Sequence, residues 1–232
     1  VTATDEGDRS GFGVFRRPDV AICLTLLLVL GFLVAPRQIV GTGFDRRAGE
    51  QFPAYILSGR AELTAGLASL VGDWQRYHVI KAFFAGLLVV LAMYLGHRAL
   101  ALIPTVLLIA NVQGAVAPLS SALSLLGDRV SESDGPVAQA LSAMRRQLRG
   151  DRSPAVQELV DDFARYHLAV VVMAGALTVV LVVFTVRAWR QGRRQWAMAT
   201  VAAAVAAAVV TWANLTTTLD PARGLLDFLG GS

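Results

Sequence analysis

The sequence predicts an all-α, integral membrane helical bundle: five transmembrane helices, an internal parallel repeat and extracytoplasmic amphipathic helices. Three observations lead there. Apolar residues make up 55% of the 232 residues and charged ones 16%, against about 25% charged in ordinary globular chains; mean hydropathy is +0.55. The charges gather in a few segments between apolar runs of membrane-spanning length. A nine-residue stretch also occurs twice, at 70–78 (LVGDWQRYH) and 159–167 (LVDDFARYH), with six positions identical at an offset of 89. Such duplication points to a repeat architecture.

Residues 1–17 are polar, end in Arg16-Arg17, and read as a cytoplasmic N-terminal tail. Residues 18–40 read as the first span. It is expected to be a retained anchor rather than a cleaved signal peptide, because it extends to Val40 without an A-x-A site. Residues 41–77 form a first extracytoplasmic segment. Gly41-Thr42-Gly43 makes a turn there, and no strand precedes it to make a phosphate loop. From Ala54, the spacing of Leu63, Leu67 and Leu70 predicts a helix running on to Trp74.

The second span is 78–95 and the third 99–116, joined at Gly96-His97-Arg98, with Pro104 expected to kink the third. Residues 117–166 form a second extracytoplasmic segment. Loop residues occupy 131–136, and Val137, Leu141, Met144 and Leu148 mark an amphipathic helix. Ser153-Pro154 starts the next helix as N-cap and first residue. It leads into a fourth span at 167–186. A cytoplasmic loop at 187–195 carries Arg187, Arg190, Arg193 and Arg194, and a fifth span follows at 196–215. The tail at 216–232, with Leu225, Leu226, Phe228 and Leu229, is expected on the membrane surface or packed back on the bundle.

With five spans, every Arg-rich short connection falls on one side, which the positive-inside rule makes the cytoplasm. The Ala/Arg-rich composition suggests a high-GC bacterium, hence a multi-pass protein of the bacterial cytoplasmic membrane with a cytoplasmic N-terminus. The long loops and C-terminus then face outward. The net charge of +4 forms no basic stripe with interleaved aromatics, so nucleic acid is not an expected partner. Cys23 stands alone, which excludes an internal disulfide.

The duplication extends further. Ala110-Asn111 corresponds to Ala213-Asn214 at an offset of 103, with Pro118/Pro221, Leu123/Leu226, Leu126/Leu229 and Gly127/Gly230 at the same offset. Each unit is an outer helix, Arg-Tyr-His, an inward span, a turn, and an outward span with Asn near its exit. Both units start on the same side, making parallel rather than inverted repeats.

If the units pack about an axis along the membrane normal, one cluster should form at the outer edge. It would hold Arg76, Tyr77, His78, Lys81, Asn111, Arg165, Tyr166, His167 and Asn214, with Asp73 and Asp162 beside them. A structural role accounts for these residues: Arg and Tyr anchor span ends, and Asn joins helices. As a ligand site, the cluster would take a membrane lipid or hydrophobic molecule, with Arg76 and Arg165 suited to an acidic headgroup. His78 and His167 are also the only candidate haem or metal ligands, but they lie at the interface and lack an in-span carboxylate or thiolate. The leading expectation is therefore a non-enzymatic protein with no catalytic residue, metal or cofactor. Its extracytoplasmic face binds a lipid, another membrane protein or a second copy of itself. The alternatives are a small-molecule oxygenase or haem-linked redox protein using His78 and His167, and a transporter component.

Trp74-x-x-Tyr77-His78-x-x-Lys81 resembles the W-x-x-W/Y-N-x-x-R pattern that opens a span in small anthrone-oxygenase-like membrane proteins. Asn111, followed by Leu119 and Leu123, is similar to their N-x-P-x-N-x-x-L segment, over residues 20–185. The resemblance implies a four-span bundle with outer helices before spans, and the cofactor-free oxygenase activity suggested for some members. This chain departs from the pattern in having His at 78, in lacking the Pro and second Asn, and in adding a fifth span.

Overall fold

A computed structural model describes residues 18–131 and 135–230. The predicted N-terminal tail and residues 132–134 of the predicted loop lie outside the described residues. Among those described, all regular structure is helical. The helices are α1 (Pro18–Val40), α2 (Phe44–Ser58), α3 (Ala65–Tyr94), α4 (Leu102–Val116), α5 (Pro118–Leu123), α6 (Gly135–Leu148), α7 (Pro154–Arg190), α8 (Arg194–Leu219) and α9 (Pro221–Phe228). A 3-10 segment, Ser124–Ser131, follows α5.

Four helices, α1, α3, α7 and α8, are long and apolar enough to cross a membrane. The expected third span differs. Helix α4 has 15 residues, about 22 Å at 1.5 Å per residue, short of the roughly 30 Å hydrocarbon core. It joins α5 through a bend of 102°, and only the bent pair together makes a fifth candidate. Pro104 does not kink a span: with the helix starting at Leu102, it falls in the first turn, where no N–H is needed. The predicted helix from Ala54 to Trp74 is also broken. Gly59 ends α2 at φ 68, and Thr64 begins α3 by accepting from the Leu67 N–H. These caps outweigh the leucine spacing. At the Arg-rich connection, helix α7 continues through Arg190 and α8 starts at Arg194, so most of the predicted loop is helical.

The apolar helices form an open row, in the order α1, α3, α4, α7, α8. Each packs on its neighbours in the row, and among the described residues α3 meets neither α7 nor α8. The two units therefore lie side by side, meeting through α4 and α7. Only 6% to 17% of each apolar window is buried, so the row's sides are exposed. Buried span positions include the small residues Ala85, Ala174, Ala197, Ala204 and Ala207 beside larger ones such as Phe32, Leu91, Val170 and Leu181. Small residues bring helices close where lipid removes the hydrophobic drive to associate. At the end of the row where α7 stops, the Thr185 hydroxyl donates to Thr200 Oγ1 at 2.8 Å.

At the other end lies the main core. Helices α3 and α7 have 30 and 37 residues, about 45 and 55 Å, so both outrun a bilayer core. Their N-terminal parts pack with α2, α5, α6 and α9 into a head. Phe52, Leu67, Leu70, Leu123, Leu141, Met144, Leu159, Leu225 and Leu229 are each under 2% exposed. The tail thus packs back, and Arg145 donates to the Leu229 carbonyl. The fully buried Tyr55 ties the head together, its hydroxyl donating to the carbonyls of Ala61 and Ala155 at 3.3 Å each. Burial, and then the charges of Glu158 and Asp162, push its phenol up to about 12.

Tyr55→Phe leaves those carbonyls without this donor and is expected to cost about 1–2 kcal/mol, read by calorimetry. The folded phenol keeps its proton to a higher pH than the unfolded one. Its stabilisation is present below pH 10 and is lost as pH rises towards 12. Wild type should therefore lose more stability over that interval than Tyr55→Phe.

Candidate functional site

Each histidine is paired within its own half of the row. On α3, His78 Nδ1 lies 3.1 Å from Asn111 Oδ1 on α4. The Asn111 amide nitrogen donates to the Leu107 carbonyl at 2.7 Å, which turns its oxygen towards the ring. Nδ1 therefore carries the proton, and Nε2 is left as an acceptor. Ser121 Oγ stands 3.3 Å from Nε2 and accepts the Trp74 indole N–H at 3.0 Å, so its own proton serves the histidine. Both His78 nitrogens are thus engaged. The ring also lies against Gly114, where a Cβ would come within 2.8 Å of it. Trp74 stacks on Tyr77 and meets Phe44 edge-on, which fixes the indole.

On α7, His167 Nδ1 lies 2.7 Å from Asn214 Oδ1 on α8. The Asn214 amide nitrogen donates to the Val210 carbonyl at 2.8 Å, so this ring takes the same tautomer. Among the described residues its Nε2 has no protein partner. His167 lines a cavity of about 300 Å³ with Ser120, Ser121, Leu123, Ser124, Phe163, Tyr166, Thr217, Gly224 and Phe228. Several of these hydroxyls are committed elsewhere. Ser120 donates to the Leu159 carbonyl and Ser124 to the Ser121 carbonyl. Tyr166 Oη accepts from the Gln113 amide at 2.6 Å, and among the described residues its own proton has no acceptor.

Helix α5 separates the two pairs and links them. Its N-cap, Ala117, has no side-chain acceptor. Asp162 of α7 does that work, accepting the Ser120 N–H at 2.7 Å, and it also pairs with Arg165 at 3.2 Å.

The remaining sequence-predicted residues fall outside the cavity. Arg76 is largely exposed beside Asp73, at 3.7 Å. Arg165 is held by Glu158 and Asp162 on its own helix. Lys81 faces α1, its ammonium 4.5 Å from the Phe32 ring centroid and 5.3 Å from that of Tyr77, a cation–π arrangement. Tyr77 packs in the aromatic group around Trp74. Among the described residues, no group of three or more His, Cys, Asp or Glu is placed to hold a metal ion. The two histidines sit on helices that both pack on α4, and His78 Nε2 already accepts from the Ser121 hydroxyl.

Sequence reasoning missed Gln113, Gly114, Ser120, Ser121, Thr217, Gly224 and Phe228. Compared with known proteins, the chain matches no family model, no curated sequence and no solved structure.

Gly114→Ala should overpack His78 and lower thermal stability by about 1–3 kcal/mol. Gly86→Ala, where a Cβ meets nothing within 4 Å, should instead be neutral or slightly stabilising in its helix. Equal melting temperatures for the two variants would contradict the close approach.

Proposed function

We propose that this chain is a non-enzymatic, multi-pass protein of the bacterial cytoplasmic membrane whose extracytoplasmic head binds a lipid or other hydrophobic molecule. The strongest support is the cavity of about 300 Å³ beside His167. That volume lies at the small end of ligand sites, enough for a ring or the polar end of a lipid. Its lining combines aromatic and aliphatic side chains with a few polar groups, two of which keep unused hydrogen-bonding capacity. That is the composition of a ligand pocket. No catalytic residue or cofactor is assigned.

The orientation draws on the arginines. Helices α3 and α7 run away from the head. Arg98 sits over the Phe184 ring at 5.8 Å, which sets the α3–α4 turn beside the last turns of α7. Arg187, Arg190, Arg193 and Arg194 follow at that end. A cationic end remote from the head suits the cytoplasmic side. Each half is then one parallel repeat: an amphipathic cap followed by a hairpin of apolar helices joined by a His–Asn pair. The exposed sides of the row suit lipid, and equally a second copy or another membrane protein.

Two experiments test this. Full-length chain extracted in mild detergent should carry a bound hydrophobic molecule by native mass spectrometry. Thr217→Trp, which fills the cavity, should cut that occupancy about ten-fold while circular dichroism stays unchanged, a loss of about 1.4 kcal/mol in binding. Unaltered occupancy would remove the cavity from the proposal. For orientation, in a Cys23→Ser background, Asp151→Cys should react with an impermeant maleimide in intact cells. Gln191→Cys should react only after permeabilisation, and the reverse pattern would invert the topology.

A further inference from the structure

The surroundings of the two histidines differ in a concerted way. Around His78 stand Trp74, Gly114 and Ser121. At the matching offsets around His167 stand Phe163, Thr217 and Gly224. Phe163 lacks the indole N–H and Gly224 lacks the hydroxyl, so both groups of the Trp74–Ser121–His78 chain are gone together. The glycine has also changed places. In the first half it lies at 114, under the His78 ring, and in the second at 224, against Thr217. A Cβ on Gly224 would stand 2.5 Å from Thr217 Cγ2 and 3.2 Å from Phe163 Cε1. A serine at 224 would therefore force the Thr217 side chain to shift. The first half has its acceptor nitrogen filled by protein; the second has an empty volume with an open nitrogen.

The open groups specify what fits. Neutral His167 offers an Nε2 lone pair, and Tyr166 offers an unused O–H. A hydroxyl answers either one, donating to the imidazole or accepting from the phenol. Among the described residues, no carboxylate lines the cavity to hold a cation, and no Arg or Lys lines it to hold an anion. Phe163, Phe228 and Leu123 supply an apolar surround for a ring or chain. We propose that the cavity binds a neutral, apolar molecule through its hydroxyl group, a lipid alcohol or phenol. That hydroxyl takes at His167 the place Ser121 takes at His78. This rests on the hydrophobic-ligand reading above and sharpens it to one functional group.

The test compares 4-propylphenol, its methyl ether 4-propylanisole, and propylbenzene. Binding to the full chain in detergent micelles is followed by ligand-observed NMR, referenced to empty micelles. Unaltered protein should bind the phenol about ten-fold more tightly than the ether, the scale of one hydrogen bond left unmade in a buried site. His167→Phe should abolish that preference and leave propylbenzene binding within about two-fold, because an apolar contact adds nothing for the hydroxyl. The triple change Phe163→Trp, Thr217→Gly, Gly224→Ser, which rebuilds the first half's arrangement, should exclude all three compounds. Equal binding of phenol and ether to unaltered protein overturns the hydroxyl assignment while leaving a hydrophobic site standing. Failure of all three to bind overturns both. The ligand comparison uses the native chain, so it does not depend on any variant folding.

Discussion

Two consecutive serines on a six-residue helix join long helices whose backbones do not pack closely on each other. Ser120 faces α7, giving its N–H to Asp162 and its hydroxyl to the Leu159 carbonyl. Ser121 faces α3, taking the Trp74 proton and serving His78. Neighbouring residues on a helix point about 100° apart, so one short segment can grip both sides. It lies across the row only because the chain bends by 102° at Ala117, with Pro118 starting the new helix. A helix this short has no stability of its own. Side chains from both long helices hold it, and both histidine environments are built against it.

The head and the row are held together by different forces. In the head, water drives large side chains inward, and Tyr55, Phe52, Leu70, Met144 and Leu159 vanish from the surface. In the row that drive is absent, and contact depends on close backbone approach along alanine and glycine. Gly31 on α1, for example, leaves room for the Phe84 ring. Helices α3 and α7 belong to both regions, so the packing of the head sets the spacing of α3, α4, α7 and α8. Helix α1 is the exception, resting on α3 alone among the described helices.

The sequence was most legible where one signal acted alone. Apolar runs marked α1, α3, α7 and α8. Ser153-Pro154 marked the start of α7, and Val137, Leu141 and Met144 marked the buried face of α6. It was least legible where signals competed. Gly59 and Thr64 are ordinary cap residues, but the Leu63, Leu67, Leu70 spacing ran across Thr64 and the helix was extended back past Gly59 to Ala54. Hydropathy showed that 99–116 is apolar without showing that the helix starts at Leu102 and turns at Ala117. The candidate site divides in the same way. His78, His167, Asn111 and Asn214 stood out because the two stretches agree there. Thr217 and Gly224 were passed over because the stretches disagree there, and Phe163 because it keeps the aromatic character of Trp74, although these differences leave His167 beside a cavity while both His78 nitrogens have protein partners.

An open row has two flanks and no interior. A helix in a closed bundle turns one face to lipid and the other inward, where polar residues can line a water-filled path. Here each helix has at most a left and a right neighbour in the row, so its remaining faces are open. Val90, Ile103, Val179, Val205 and Val209 are all exposed on such faces. A single copy therefore offers no lumen among the described residues. Any conduit across the membrane would have to be enclosed between copies, by rows curving to meet edge to edge through α1 and α8.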